Sequence, residues 1–157
     1  MGPFLITQLD ARRLRRGLMA LATADPERAR RVRERASEAA ARPAGRFADD
    51  EPCPALDPET GCCDLYDARP MTCRAFGPPI GCGTEAVGIC ELCFRGATDG
   101  EIVACQVEID PEGLEPALLD ELEEATGVRG GTTVAAALVT EEPAARDNLS
   151  ARTGCLR

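Results

Sequence analysis

Cysteine thiols are the groups best suited to chemistry in this 157-residue chain, and most of them fall in one stretch. The stretch is also rich in proline and glycine, which predicts a series of turns and not a long helix. Such a segment has few large apolar side chains, so we expect its thiols to cross-link it. Seven of the nine cysteines lie there: Cys53, Cys62, Cys63, Cys73, Cys82, Cys90 and Cys93.

Two kinds of cross-link are open to these thiols, disulfide bonds and a metal ion. Disulfides require an oxidising compartment. The arginines at 12–16 and the apolar run 18–22 give a weak export signal, and they fit a helix better. We therefore expect a cytoplasmic protein, in which clustered thiols point to metal binding or catalysis. The odd number of cysteines also fits a complete disulfide framework poorly.

Sulfur ligands would select the metal, because the chain contains no histidine. Sites made of thiolates alone favour zinc or an iron–sulfur cluster. The C-x2-C pair Cys90–Cys93 is typical of zinc sites. Pro54 directly after Cys53 favours an iron–sulfur cluster, and so do the two ten-residue intervals that follow Cys53. The residues leave both cofactors open.

One motif carries a resemblance to a known family. It reads Cys53-Pro54, then Cys63-x-x-Tyr66-x-x-Arg69-Pro70-x-x-Cys73-Arg74-x-Phe76. It resembles the YkgJ-type cysteine-cluster family, described as a proposed zinc- or iron-chelating domain. The match is tight as far as Phe76 and looser as far as Cys93. That family usually opens with a C-x2-C-x2-C-C run, whereas this chain has no cysteine before Cys53.

The resemblance implies that Cys53, Cys63 and Cys73 are metal ligands. Further ligands would come from Cys62, Cys82, Cys90 and Cys93. The adjacent Cys62 and Cys63 could bridge two ions, or one could be a bystander, and the spacing to Tyr66 selects Cys63.

Side chains around Cys73 are candidates for supporting such a site. Arg69 and Arg74 flank it and could offset the negative charge of the thiolates. The alternative for Arg69 is a surface residue before a proline turn. We expect Tyr66 and Phe76 either to cover the sulfur atoms or to pack in the core.

Charge is distributed unevenly along the chain. Residues 1–46 hold 11 arginines and five acidic residues, whereas residues 47–157 hold seven arginines and 22 acidic residues. The basic segment 7–42 could bind a protein partner, or it could pack against the acidic remainder, which we favour. Nucleic acid is not favoured as a partner, because the whole chain is acidic. No apolar run is long enough to cross a membrane.

Apolar periodicity predicts helices over 7–23 and from Asp25 to about Arg42, which would form a pair. A strand or a short helix is expected within 101–109, with Cys105 buried. A further helix is predicted after Asp110-Pro111, with an apolar face of Leu114, Leu118, Leu119 and Leu122 and Gly127 as its cap. Thr132 or Thr133 would begin a last helix that ends near Val139.

The expected fold is therefore mainly α, with a turn-rich, metal-stapled cysteine segment and one short strand near 102–109. A single domain would span 1–140, with the helical pair at 7–42, the cysteine cluster at 53–93 and a helical part at 111–139. Residues 141–157 are expected to form a loose tail.

Three functions fit these features. The first is a cytoplasmic protein that binds zinc or iron, with the metal at least structural. The second is an enzyme or enzyme subunit, because a similar cysteine block in flagellin lysine N-methylases implies a role in protein modification. The third is a structural zinc module that presents the basic helices to a protein partner. The enzyme question stays open, since the chain has no separate cofactor-binding motif.

Overall fold

The computed structural model describes residues 5–42, 52–82, 85–87, 89–90, 92–141 and 143. Within these ranges the chain is mainly helical, with two small sheets, which confirms the predicted fold class. The elements are β1 (Leu5–Ile6), α1 (Gln8–Ala24), α2 (Pro26–Ala40), a 3-10 turn (Tyr66–Ala68), α3 (Met71–Arg74), β2 (Ile80–Cys82), β3 (Glu85–Val87), α4 (Asp99–Ala104), β4 (Val107–Glu108), α5 (Leu114–Thr126), β5 (Thr132–Thr133) and α6 (Val134–Val139).

Helices α1 and α2 begin where their capping residues predict. The Thr7 hydroxyl accepts the N–H of Asp10 at the start of α1. The Asp25 carboxylate accepts the N–H of Arg28 at the start of α2, and Pro26 is the first helical residue. Since Asp25 alone separates the two helices, the chain passes directly from one into the other.

The hydrophobic core lies where α1, α2 and α6 pack together. Leu14 of α1 and Val32 of α2 are fully buried there, and Leu138 comes from α6. Helix α6 is capped by Thr133, one of its two predicted caps. The antiparallel pairing of β1 with β5 was not predicted, because strands of two residues are too short to show alternation.

The cysteine segment completes this core with small apolar residues. Ala55, Leu65 and Ala68 are buried against the helices. Gly17 in α1 lets the 3-10 turn approach closely, because a Cβ added at Gly17 would lie 2.3 Å from the Cβ of Ala68. The helical layer and the cysteine segment therefore share one core.

The segment 101–109 contains both elements that the sequence left open, a short helix and a short strand. Residues 99–104 form α4, because Thr98 and Glu101 cap each other's backbone N–H groups in a capping box. The strand is limited to β4, which pairs in parallel with β2. The predicted burial of Cys105 is wrong, since its side chain is exposed where α4 ends.

Helix α5 begins at Leu114, three residues after the predicted Pro111. The helix starts later than predicted because the carboxylate of Asp110 accepts the N–H groups of Leu114 and Glu115. Asp110 therefore caps the helix although it lies before the turn that contains Pro111. Gly127 ends the helix in the left-handed conformation, as predicted. Leu114 and Leu118 are exposed, so the predicted apolar face is only partly covered.

The remaining predictions concern residues that the structure does not describe. The expected tail falls mostly at residue 142 and at 144–157, outside the described ranges, and Cys155 lies there. The domain boundaries at 1–140 stay a prediction. Among the described helices, none combines the length and apolar character needed to cross a lipid bilayer.

Candidate metal centre

The three cysteines spaced ten residues apart lie near one another. Burial raises the pKa of the Cys53 thiol, and the neighbouring Cys63 and Cys73 raise it further. Burial also raises the pKa of Cys63, with Cys73 again contributing. The thiols of Cys53 and Cys63 pack against the shared core, and all three side chains are half-buried. These three thiols, called here the thiol trio, therefore lie within electrostatic reach of one another beside the helices.

Helix α2 holds the turns that carry Cys53 and Cys63, mainly through Arg35. The side chain of Asp64, next to Cys63, is only 2% exposed and forms salt bridges with Arg28 and Arg35. Arg35 also donates its Nε–H to the carbonyl of Pro54, next to Cys53, at 2.9 Å. A single arginine therefore ties the Cys53 and Cys63 turns to the same helix. Sequence reasoning missed Asp64, and its only signal was the excess of arginines before residue 47.

Helix α1 holds the third member. The carboxylate of Asp10 is buried, and both of its oxygens accept the N–H of Met71, at 3.0 and 3.2 Å. Burial raises the pKa of Asp10, although the Met71 N–H and the charges of Arg13 and Arg74 oppose that effect. Because Met71 begins α3, this bond fixes the short helix that carries Cys73.

The two arginines near Cys73 occupy different positions. The guanidinium of Arg69 lies 3.7 Å from the ring centroid of Tyr66, and its charge favours the Cys63 thiolate. Arg74 donates to the carbonyls of Asp67 and Arg69 and so holds the turn before α3. Arg69 is thus the better placed of the two to offset thiolate charge.

The two aromatic residues do not lie in the core. Tyr66 is 60% exposed and Phe76 is 62% exposed, so the alternative of core packing does not hold, and their role as a cover over the sulfur atoms stays a prediction. The core positions of this segment go to smaller residues, because Gly17 brings the 3-10 turn too close for a large ring. Tyr66 instead supports Arg69 with its ring face.

The other candidate ligands lie elsewhere. Cys62 is exposed, and its Sγ lies 3.8 Å from the carbonyl oxygen of Thr60. Cys63, by contrast, pairs with Leu56 in an isolated antiparallel bridge. Cys90 and Cys93 lie on one turn, and the backbone of Cys82 ends β2, with its side chain outside the described residues.

The three thiols are suitable ligands for a soft metal, but their side chains do not converge on one point. Within the described ranges, no three cysteine or acidic side chains converge closely enough to hold one ion. Thiol ligands, the nearby Arg69 and a dry flank toward the core are features of zinc and iron sites. The residues described thus supply the donors and their supports, but not a closed coordination shell.

A family model supports this assignment. The CxxCxxCC family, described as a proposed zinc- or iron-chelating domain, matches residues 6–92. This chain belongs to the CxxCxxCC family. The matched region covers α1, α2 and most of the cysteine segment, so it includes the helices that hold the thiol trio. Comparison with curated proteins and with solved structures finds no significant match.

The chain departs from the CxxCxxCC family at the motif that gives the family its name. No C-x2-C-x2-C-C run occurs in the sequence, and α1 and α2 contain no cysteine. Metal binding at the thiol trio therefore has to proceed without the ligands of that run.

Proposed function

We propose that this chain is a cytoplasmic metal-binding protein that chelates zinc or iron through Cys53, Cys63 and Cys73. The observation that carries the proposal is the anchoring of all three cysteines to the helical layer. Asp10 fixes α3 under Cys73, and Arg35 fixes the backbone next to Cys53 and Cys63. Turns held in this way keep soft ligands close together before a metal arrives.

The metal would at least stabilise the fold. Described residues 52–65 contain turns and an isolated bridge but no helix or strand, so few backbone bonds hold them. In sites of this kind the binding energy of the metal is also folding energy. A fourth ligand would come from Cys62 or Cys82, the thiols of the segment that do not share the Cys90–Cys93 turn.

Zinc and an iron–sulfur cluster both accept four thiolates, so the ligands alone do not separate them. Purification without oxygen followed by elemental analysis tests the proposal. A colourless protein with stoichiometric zinc would identify a zinc site. A brown protein with visible absorption that bleaches on reduction would identify an iron–sulfur cluster. A folded protein with neither metal, and with its cysteines paired as disulfides, would overturn the proposal.

An enzyme role in protein modification is the second candidate, and one observation favours it. A cavity of about 760 Å³ lies beside α3 and is lined mainly by apolar groups from β1, α3 and α5. Thr72, the neighbour of Cys73, is part of its wall. Calorimetric titration with a methyl donor tests this role, because the purely structural role predicts no binding.

The basic helices offer a surface for a protein partner in the third role. Arg28 and Arg35 already bind Asp64, so an acidic partner would have to use other arginines of residues 7–42. A pull-down with the full chain and with the variant Arg16→Ala/Arg33→Ala, which removes two exposed arginines of these helices, tests this role. Equal capture by both chains would contradict it.

A further inference from the structure

Cys90 and Cys93 form a pair of thiols on one exposed turn. The carbonyl of Cys90 accepts the N–H of Cys93 at 2.9 Å and the N–H of Phe94 at 3.3 Å, so the turn is helical. The two thiols hydrogen-bond to each other. The N–H of Cys90 donates to the carbonyl of Gly77 at 3.2 Å, which anchors the turn to the loop after α3. Backbone hydrogen bonds thus hold the pair in place.

The pKa of Cys93 reflects the neighbouring Cys90. The hydrogen bond from Cys90 and the charge of Cys90 raise the pKa of Cys93. Among the described residues, no member of the thiol trio contributes to that shift. Five of the seven clustered cysteines therefore form two groups, the trio beside the core and the Cys90–Cys93 pair on its own turn.

The two sulfur atoms of the pair differ in access to solvent. Cys93 is exposed, and its neighbour Leu92 is 75% exposed. Cys90 is half-buried. One side of the Cys93 sulfur faces Gly77, since a Cβ added there would lie 3.8 Å away. A small molecule can therefore reach Cys93 more easily than Cys90.

We propose that Cys90 and Cys93 form a thiol–disulfide exchange site that reacts with a small disulfide such as oxidised glutathione. This site goes beyond the proposed metal function and does not depend on it. Accessible dithiols one helical turn apart react in this way because the second thiol lies close enough to displace the first adduct. The outward sulfur of Cys93 attacks, and the inner sulfur of Cys90 resolves.

The reaction balances in two steps. The Cys93 thiolate attacks one sulfur of oxidised glutathione, the S–S bond breaks, and one glutathione leaves and takes up the proton that Cys93 lost. Cys90 then attacks the Cys93 sulfur, and the second glutathione leaves with the proton from Cys90. The protein dithiol loses two electrons and two protons, and the small disulfide is reduced to two thiols.

Closure of the protein disulfide requires only a local adjustment. Side chains three apart on a helical turn have Cβ atoms about 5–6 Å apart. A disulfide needs about 3.5–4.5 Å. The turn is exposed and is followed by Gly96 in the left-handed conformation, so it can tighten without disturbing the core.

The test uses the full, metal-loaded chain purified in the reduced state and exposed to oxidised glutathione. Trypsin releases the peptide 75–95, which carries Cys82 as well as Cys90 and Cys93, so fragmentation of the peptide and a parallel reaction of Cys82→Ser assign the bond. We expect this peptide to lose two hydrogens without retaining glutathione. In Cys90→Ser the reaction should stop at a glutathione adduct on Cys93. Cys105→Ser removes a lone exposed thiol and should leave the closure unchanged.

Metal content of the double variant Cys90→Ser/Cys93→Ser gives an independent reading. Its metal content should equal that of the wild-type chain, whereas a metal loss equal to that of Cys73→Ser would place the pair in the metal shell and overturn the proposal. A wild-type peptide that retains glutathione instead of closing would also overturn it. The metal content of the double variant and the state of the wild-type peptide can both be interpreted whether the metal is zinc or iron. A wild-type chain without metal would refute only the metal function.

Discussion

Arg35 and Asp64 join helix α2 to the cysteine segment, with the arginine half-buried and the carboxylate almost fully enclosed. The same arginine donates to the carbonyl of Pro54. Because Asp64 follows Cys63 and Pro54 follows Cys53, this contact sets the relative position of two proposed ligands. The Arg35–Asp64 salt bridge thus supports the proposed metal centre as well as the fold.

Arg35→Ala should lower the free energy of unfolding by about 2–4 kcal/mol, because a buried carboxylate that loses a partner is strongly destabilising. Arg30 on the same helix binds the exposed Glu27 and Glu34 and is the matched control. Arg30→Ala should cost much less, because ion pairs between exposed side chains contribute little to stability. Chemical denaturation of the metal-free variants gives both values. Equal losses would show that the Arg35–Asp64 contact is no stronger than a surface pair.

Gly17→Ala should destabilise the protein, although alanine has the higher helix propensity by about 1 kcal/mol. The added methyl group would meet Ala68 and push the 3-10 turn away from α1. Gly100 in α4 has open space around it, so Gly100→Ala should be neutral or stabilising. Melting temperatures of the two variants should therefore move in opposite directions, and a stabilised Gly17→Ala would contradict the close packing.

Asp10→Asn should change how stability depends on pH. Burial raises the pKa of Asp10 above its ordinary value of 3.8, so the folded state binds this proton more tightly than the unfolded state. The stabilisation is complete below pH 3.8 and is lost as pH rises through the folded-state pKa. The asparagine still offers Met71 an acceptor but does not titrate.

The measurement is the difference in unfolding free energy between wild type and Asp10→Asn across the acidic range. We expect wild type to lose stability relative to the variant as pH rises, and then to reach a plateau. A difference that is constant, or that grows in favour of wild type, would show that the Met71 N–H outweighs burial in setting the pKa.

Local sequence signals predicted the elements that are fixed by neighbouring residues. Asp25 and Gly127 act as the caps that the sequence indicates, so the start of α2 and the end of α5 follow from them. The start of α5 was misplaced because an aspartate–proline signal also suits the turn that Asp110 forms before the helix. The alternation of apolar residues in 101–109 did not locate the helical part of this segment, because α4 is set by the capping box of Thr98 and Glu101.

The supports of the metal centre could not be predicted, because they join residues far apart in the chain. Asp64 lies 29 positions from Arg35, and Asp10 lies 61 positions from Met71. No periodicity or spacing links such pairs, and only the folded chain brings them together. The family resemblance singled out Cys53, Cys63 and Cys73 as a set, and their role as metal ligands stays a prediction.

The measurement that tests the central claim most directly is metal content per chain after purification without oxygen, in wild type, Cys73→Ser and Cys105→Ser. Cys73 lies on α3 beside Cys53 and Cys63, and Cys105 is an exposed thiol in a different segment. We predict that wild type and Cys105→Ser carry equal zinc or iron, and that Cys73→Ser loses the metal together with its melting temperature. Full metal content and full stability in Cys73→Ser would contradict the proposed metal centre.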